Sequence, residues 1–142
     1  MSYAHKSYKT ANIATADRGK LVIMIYDHCI KWTRMADEEL TSNNIEKMVK
    51  AVQRVQNGLT ELMCALDMEK GGEIAKNLFR LYEFYSHHLT MAIKERSSKF
   101  LNDVMEMMSS LRDAWLVAIE NVRREDHNTL SEKTSGQLSI VS

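Results

Sequence analysis

"GGEIAKNLFRLYEFYSHHLTMA", residues 71–92, opens on two glycines and then runs on with no further glycine and no proline. Ile74, Leu78, Leu81, Tyr82, Tyr85, Leu89 and Ala92 recur at three- and four-residue intervals, the spacing of one helical face. Phe79, Phe84, Met91 and Ile93 lie at the margins of that stripe. The apolar arc is therefore wider than a helix in a small bundle needs to bury. Three readings compete: a metal-binding helix through Glu83, His87 and His88, an ordinary core helix, or a helix that keeps apolar surface for another chain.

Working outward, "DMEKGG" (67–72) is a turn in which Gly71 or Gly72 supplies the backbone freedom of a helix terminus. The spacing then predicts a helix over 73–94. Upstream, Ile45, Met48, Val49, Val52, Val55, Leu59, Leu62 and Leu66 form a tight stripe over 44–66, with Asn43 and Glu46 placed as in a capping box. Ala51, Gly58 and Ala65 recur every seven residues beside it, an arrangement that lets a neighbouring backbone approach closely. A first helix is predicted over 16–40, with Thr15 as N-cap and Asp17 at the positive end of the helix dipole. A fourth follows the break "ERSS" (95–98) and is predicted over 98–124 through Leu101, Val104, Met108, Leu111, Trp115, Ile119 and Val122. Beyond Arg124 the periodicity stops, and 125–142 reads as a polar, loosely ordered tail. Four amphipathic helices joined by tight turns imply an all-α, antiparallel four-helix bundle, a single domain over 1–124.

Composition agrees. Proline is absent, glycine occurs five times in 142 residues, and Lys+Arg equals Asp+Glu at 19 each. A chain of this length can bury a core without staples. The charge balance offers no overall field for nucleic acid or an anionic membrane. No stretch approaches a membrane span, and the N-terminus lacks the apolar run of a signal peptide, so a cytoplasmic location is expected. Cys29 and Cys64 sit among apolar helical positions and read as reduced, buried small hydrophobes, since C-x-x-C is absent.

Catalytic and metal chemistry find little support. A ferritin-like centre needs Glu-x-x-His units, but the residues three before His28, His87, His88 and His127 are Ile25, Phe84, Tyr85 and Arg124. Neither G-x-S-x-G nor a phosphate-binding loop occurs. No enzyme activity and no cofactor are expected. What remains is surplus apolar surface: on the third helix, on the first through Leu21, Met24, Trp32 and Met35, and on the fourth through Met105, Met107, Leu116 and Val117. Ten methionines suit an adaptable binding surface.

In that setting a set of short motifs resembles one family. Tyr8, Ile13-Ala-Thr15-Ala16, "KLVIMIYD" (20–27), "NGL" (57–59), "LDMEKGGEIAKNLFRLYEFY" (66–85) and "LRDAW" (111–115) match FliS, the flagellin-specific export chaperones of bacteria, in order and spacing. The resemblance covers about residues 8–115. Where the family often has proline after Thr-Ala, this chain has Asp17-Arg18.

The resemblance implies a four-helix bundle that holds the disordered C-terminal segment of flagellin in a hydrophobic groove in the cytoplasm. So held, the segment cannot polymerise early and is delivered to the flagellar type III export apparatus. It implies protein-binding roles for Tyr8, Ile13, Thr15, Leu21, Tyr26, Asp27, Ile74, Asn77, Leu78, Tyr82 and Tyr85. For Leu21 and Tyr26 core packing is the competing reading, and for Asp27 a cap. Tyr8 is left with two roles, a client contact or a plug over the groove. The export gate protein or a co-chaperone are further partners under this reading, and a homodimer without client is left open. An adaptor for another export or motility protein is the alternative.

Overall fold

The computed structural model describes residues 15–141, with side chains described for 18–130. Four helices follow one another: α1 (Thr15–Thr41), α2 (Ile45–Ala65), α3 (Gly72–Glu95) and α4 (Ser98–Val141). Among the described residues there is no strand. The antiparallel four-helix bundle read from periodicity is the fold. The first three helices start and end within a residue of the bounds predicted at 16–40, 44–66 and 73–94. α4 differs. It continues as helix beyond Arg124 to Val141 through a segment free of proline, although residues 120–130 are all exposed.

The chain divides into two compact units, Val22–Arg112 and the chain ends Met1–Leu21 with Asp113–Ser142. Within the first, all four helices surround one core. Tyr26, Cys29, Thr33 and Ala36 of α1 meet Met48, Val52, Val55 and Leu59 of α2, Tyr82 and Leu89 of α3, and Leu101, Val104 and Met108 of α4, all without solvent exposure. At its centre the hydroxyls of Tyr26 and Tyr82 share a hydrogen bond of 2.5 Å, which satisfies two polar groups that burial would otherwise penalise. Thr33 settles its hydroxyl on the Cys29 carbonyl one turn back, at 2.7 Å. In the unit of the chain ends, Ile119 of α4 lies against Gly19 of α1.

Gly58, in the small-residue stripe of α2, has its reason in the α1 contact. Gly58 is buried, and a Cβ there would stand 2.5 Å from the Cys29 sulfur. Ala51 is buried beside it, whereas Ala65 is exposed. At the rim of this contact the Arg54 guanidinium lies 4.2 Å above the Trp32 ring. α2 meets α3 through Gln56, whose amide donates to the Ser86 carbonyl and to the Thr90 hydroxyl, both at 2.9 Å.

The turns show what local sequence does. α1 and α3 both end on a left-handed residue, Asn43 (φ 61°) and Arg96 (φ 49°). In each case the next N–H reaches back five residues, Asn44 to the Glu39 carbonyl (2.8 Å) and Ser97 to that of Ala92 (3.1 Å). These are Schellman closures. They overturn the capping box expected at Asn43. That residue finishes α1, Asn44 precedes α2 without a side-chain cap bond, and Glu46 lies 3.6 Å from Lys50 instead. Before α3, Asp67 accepts the N–H groups of Glu69 and Lys70, and Gly72 takes φ 51°, a conformation that favours glycine. α1 includes Thr15 as its first residue, and the Thr15 side chain, on which the expected cap depends, lies outside the described ones.

Candidate functional site

The exposed side of α3 follows directly from its sequence. Ala75, Tyr82, Leu89 and Ala92 turn into the core. One step around the helix, Leu78, Leu81, Tyr85 and His88 are only half-buried, because no neighbouring helix covers them fully. At the outer edge Ile74 and Phe84 stand in solvent, 73% and 56% exposed. Between them the half-buried Leu78, Leu81 and Tyr85, at helical spacing, make an apolar patch rather than the scattered exposure normal for a surface.

Toward the C-terminal end of α3 the patch deepens into a cleft of about 520 Å³ between α3 and α4. Aromatic packing builds its wall. Phe84 meets Tyr85 edge-on at 5.0 Å and stacks on His88 at 5.5 Å, and His88 in turn stands edge-on to Phe100 at 4.4 Å. The His88 Nε2–H donates to Asp103 of α4 at 3.2 Å, which fixes the ring between the two helices. α4 supplies Met107 and Leu111 to the opposite wall, with Glu106 at the rim.

The residues singled out from sequence fall in different places. Ile74, Asn77, Leu78 and Tyr85 lie along this side of α3, with Ile74 and Asn77 exposed and Leu78 and Tyr85 half-buried. Tyr26 and Tyr82 are wholly buried and face each other. Asp27 is at the surface, where its carboxylate accepts from the Arg112 guanidinium, and so ties α1 to α4. Leu21 is half-buried and belongs to the unit of the chain ends. Thr15 is described by its backbone alone, and Tyr8 and Ile13 lie outside the described residues. Leu81, His88 and Asp103 line the cleft without having been singled out as client contacts. Extending the Ile74–Leu78–Leu81–Tyr85 rhythm by three residues reaches His88, so the signal was present for it. Nothing in the sequence of α4 pairs Asp103 with it.

The chemistry available here is that of adhesion. Among the described residues no group of three or more His, Cys, Asp or Glu side chains could hold a metal ion. Cys29 is no nucleophile: burial, with a smaller contribution from the Glu61 charge, pushes its thiol up to about 12. Among the described residues no helix is long and apolar enough to cross a membrane. The expectation that both cysteines are buried fails for Cys64, which is exposed because α2 is covered on one side only at that point.

Comparison with known proteins agrees with the geometry. The family model described as "Flagellar protein FliS" matches residues 1–122. The "Flagellar secretion chaperone FliS" of Campylobacter jejuni is 30% identical over 125 residues, covering 88% of this chain and 91% of that protein. That of Bacillus subtilis is 25% identical over 125 residues, with 88% and 92% covered. That of Salmonella typhimurium is 30% identical over 118 residues, with 80% and 84% covered. A solved structure titled "Crystal structure of flagellar chaperone from bacteria" superposes with a TM-score of 0.70 at 24% identity, over 84% of this chain and 97% of that one, a likeness of fold. With its bundle, its uncovered apolar helix side and a family match along most of its length, this chain belongs to the FliS family of flagellar secretion chaperones, which are not enzymes.

Proposed function

We propose that this protein binds the C-terminal segment of flagellin in the cytoplasm, keeps it from polymerising, and hands it to the flagellar type III export apparatus. The observation that carries the reading is the apolar side of α3. Ile74, Leu78, Tyr85 and Phe84 stay open to solvent while the bundle beneath them is closed. An amphipathic segment laid along this side as helix would cover that surface with residues at matching intervals. Asn77, exposed between Ile74 and Leu78, offers an amide to the guest's backbone or side chains. Tyr26 and Tyr82 serve from behind, locking α1 to α3 so that the binding side is preorganised. Asp27 with Arg112 does the same for α1 and α4.

Ordering a disordered guest costs about 2–5 kcal/mol or more, so a long apolar contact is required, and a single cleft does not suffice. Tyr8, Ile13, Thr15 and Leu21 are proposed as client contacts on the family motif alone. The export gate protein and a co-chaperone are proposed as later partners, and a homodimer as the client-free form.

Size-exclusion chromatography of this protein with flagellin from the same organism, full-length and lacking its C-terminal segment, tests the reading. Co-elution with the full-length protein alone is expected. Equal co-elution with both would move the client site elsewhere on flagellin, and co-elution with neither would favour an adaptor for another export protein.

A further inference from the structure

The α3–α4 cleft carries a charge pattern that general adhesion does not require. Its two carboxylates, Asp103 and Glu106, stand one helical turn apart on α4, and no lysine or arginine lines it. Asp103 gives one oxygen to His88. Among the described residues Glu106 takes part in no ion pair. Asp27 makes the contrast, since Arg112 occupies its carboxylate from within the bundle. Beneath this acidic rim lie Leu81, Phe84, Tyr85 and Met107, a wall of apolar and aromatic surface.

Resting on the client reading above, we propose that this cleft selects a helical segment with an apolar anchor and an arginine one turn from it. The anchor enters between Leu81 and Met107. The guanidinium lies over one of the mutually perpendicular Phe84 and Tyr85 rings and donates to Glu106 and to the Asp103 oxygen that His88 does not hold. Arginine fits better than lysine because its planar, weakly hydrated head stacks on aromatic faces and presents several donors at once. Charge also supplies what an apolar groove alone lacks, a register: sliding the guest by one turn leaves its cation without carboxylates and the rim without a counter-charge.

Two synthetic amphipathic helical peptides with the same leucine face test this without depending on flagellin. One carries arginine and the other glutamate, one turn from the central leucine. Titrated into the full chain at low salt, the arginine peptide should bind at least about tenfold more tightly, with a preference that fades as salt screens the pair. In the chain carrying Asp103→Asn and Glu106→Gln, substitutions that keep shape and hydrogen bonding, the two peptides should bind alike. Equal affinities in the unaltered chain, or a preference that survives both substitutions, overturn the proposal, as does failure of both peptides to bind. Apparent affinities for both peptides that fall as protein concentration rises would also overturn it, by showing that a second copy fills the cleft. A parallel titration with the flagellin segment keeps the two questions apart. Binding of flagellin unaffected by Asp103→Asn and Glu106→Gln removes the charge rule and leaves the client, whereas arginine selectivity without flagellin binding removes the client and leaves the rule.

Discussion

Gly58 and Cys29 are where a single atom decides packing. With a Cβ due to fall 2.5 Å from a buried sulfur, any larger side chain must displace α1. Gly58→Val is expected to destabilise the protein by about 2 kcal/mol, an overpacking penalty larger than the small gain in helix propensity. Urea denaturation should show the loss as a lowered midpoint, and Cys29→Ala in the same chain should recover a large part of it. Cys29 also sets a pH limit. Its thiol titrates near 12 in the folded chain against 9.0 unperturbed, so the unfolded state gives up this proton first. The stability associated with the neutral thiol is therefore complete below pH 9 and drains away as pH rises toward 12. At pH 8 a thiol reagent should modify Cys64 alone in the folded protein and both cysteines in denaturant. A packing reason for Gly58 was legible in the sequence, since a glycine in a helix interior demands one. The exposure of Cys64 was not, because periodicity places a residue on a face without saying whether a neighbour covers it.

At the scale of elements, stop signals proved more legible in position than in kind. "TSNN" and "ERSS" mark where helices end, yet the devices are left-handed residues at Asn43 and Arg96 and not the side-chain cap that Asn43 and Glu46 suggested. Arg96 is the costly one, since a left-handed backbone strains a residue with a Cβ. Arg96→Gly is therefore expected to stabilise the protein by about 0.5–1 kcal/mol, after allowance for the extra freedom of glycine in the unfolded chain. A rise in melting temperature would register it, and an unchanged or lower value would mean that Arg96 makes compensating contacts. α4 illustrates the reverse limit. Loss of apolar rhythm after Arg124 predicts an end to burial, which holds for residues 125–130. The end to helix expected at that point does not occur, because polar residues without proline sustain one.

For the whole molecule, the four stripes and three short turns were enough to read the bundle, since each stripe must be buried against the others. The candidate surface was only half legible. Ile74, Asn77, Leu78 and Tyr85 share one side of α3, as their spacing requires. Tyr26 and Tyr82 came from the same motifs but turn inward, because a motif records which residues go together without recording which face the client. The cleft itself depends on α4 arriving beside α3 in one register, a tertiary fact that no window of sequence contains. Flagellin is the proposed cover of the apolar side of α3. Isothermal titration of the protein with the C-terminal flagellin segment from the same organism, repeated at several temperatures, decides it. One-to-one binding is predicted, with a large negative heat-capacity change from apolar burial and a marked loss of affinity for Leu78→Ser. Absence of heat at every temperature, or binding indifferent to Leu78→Ser, would contradict it.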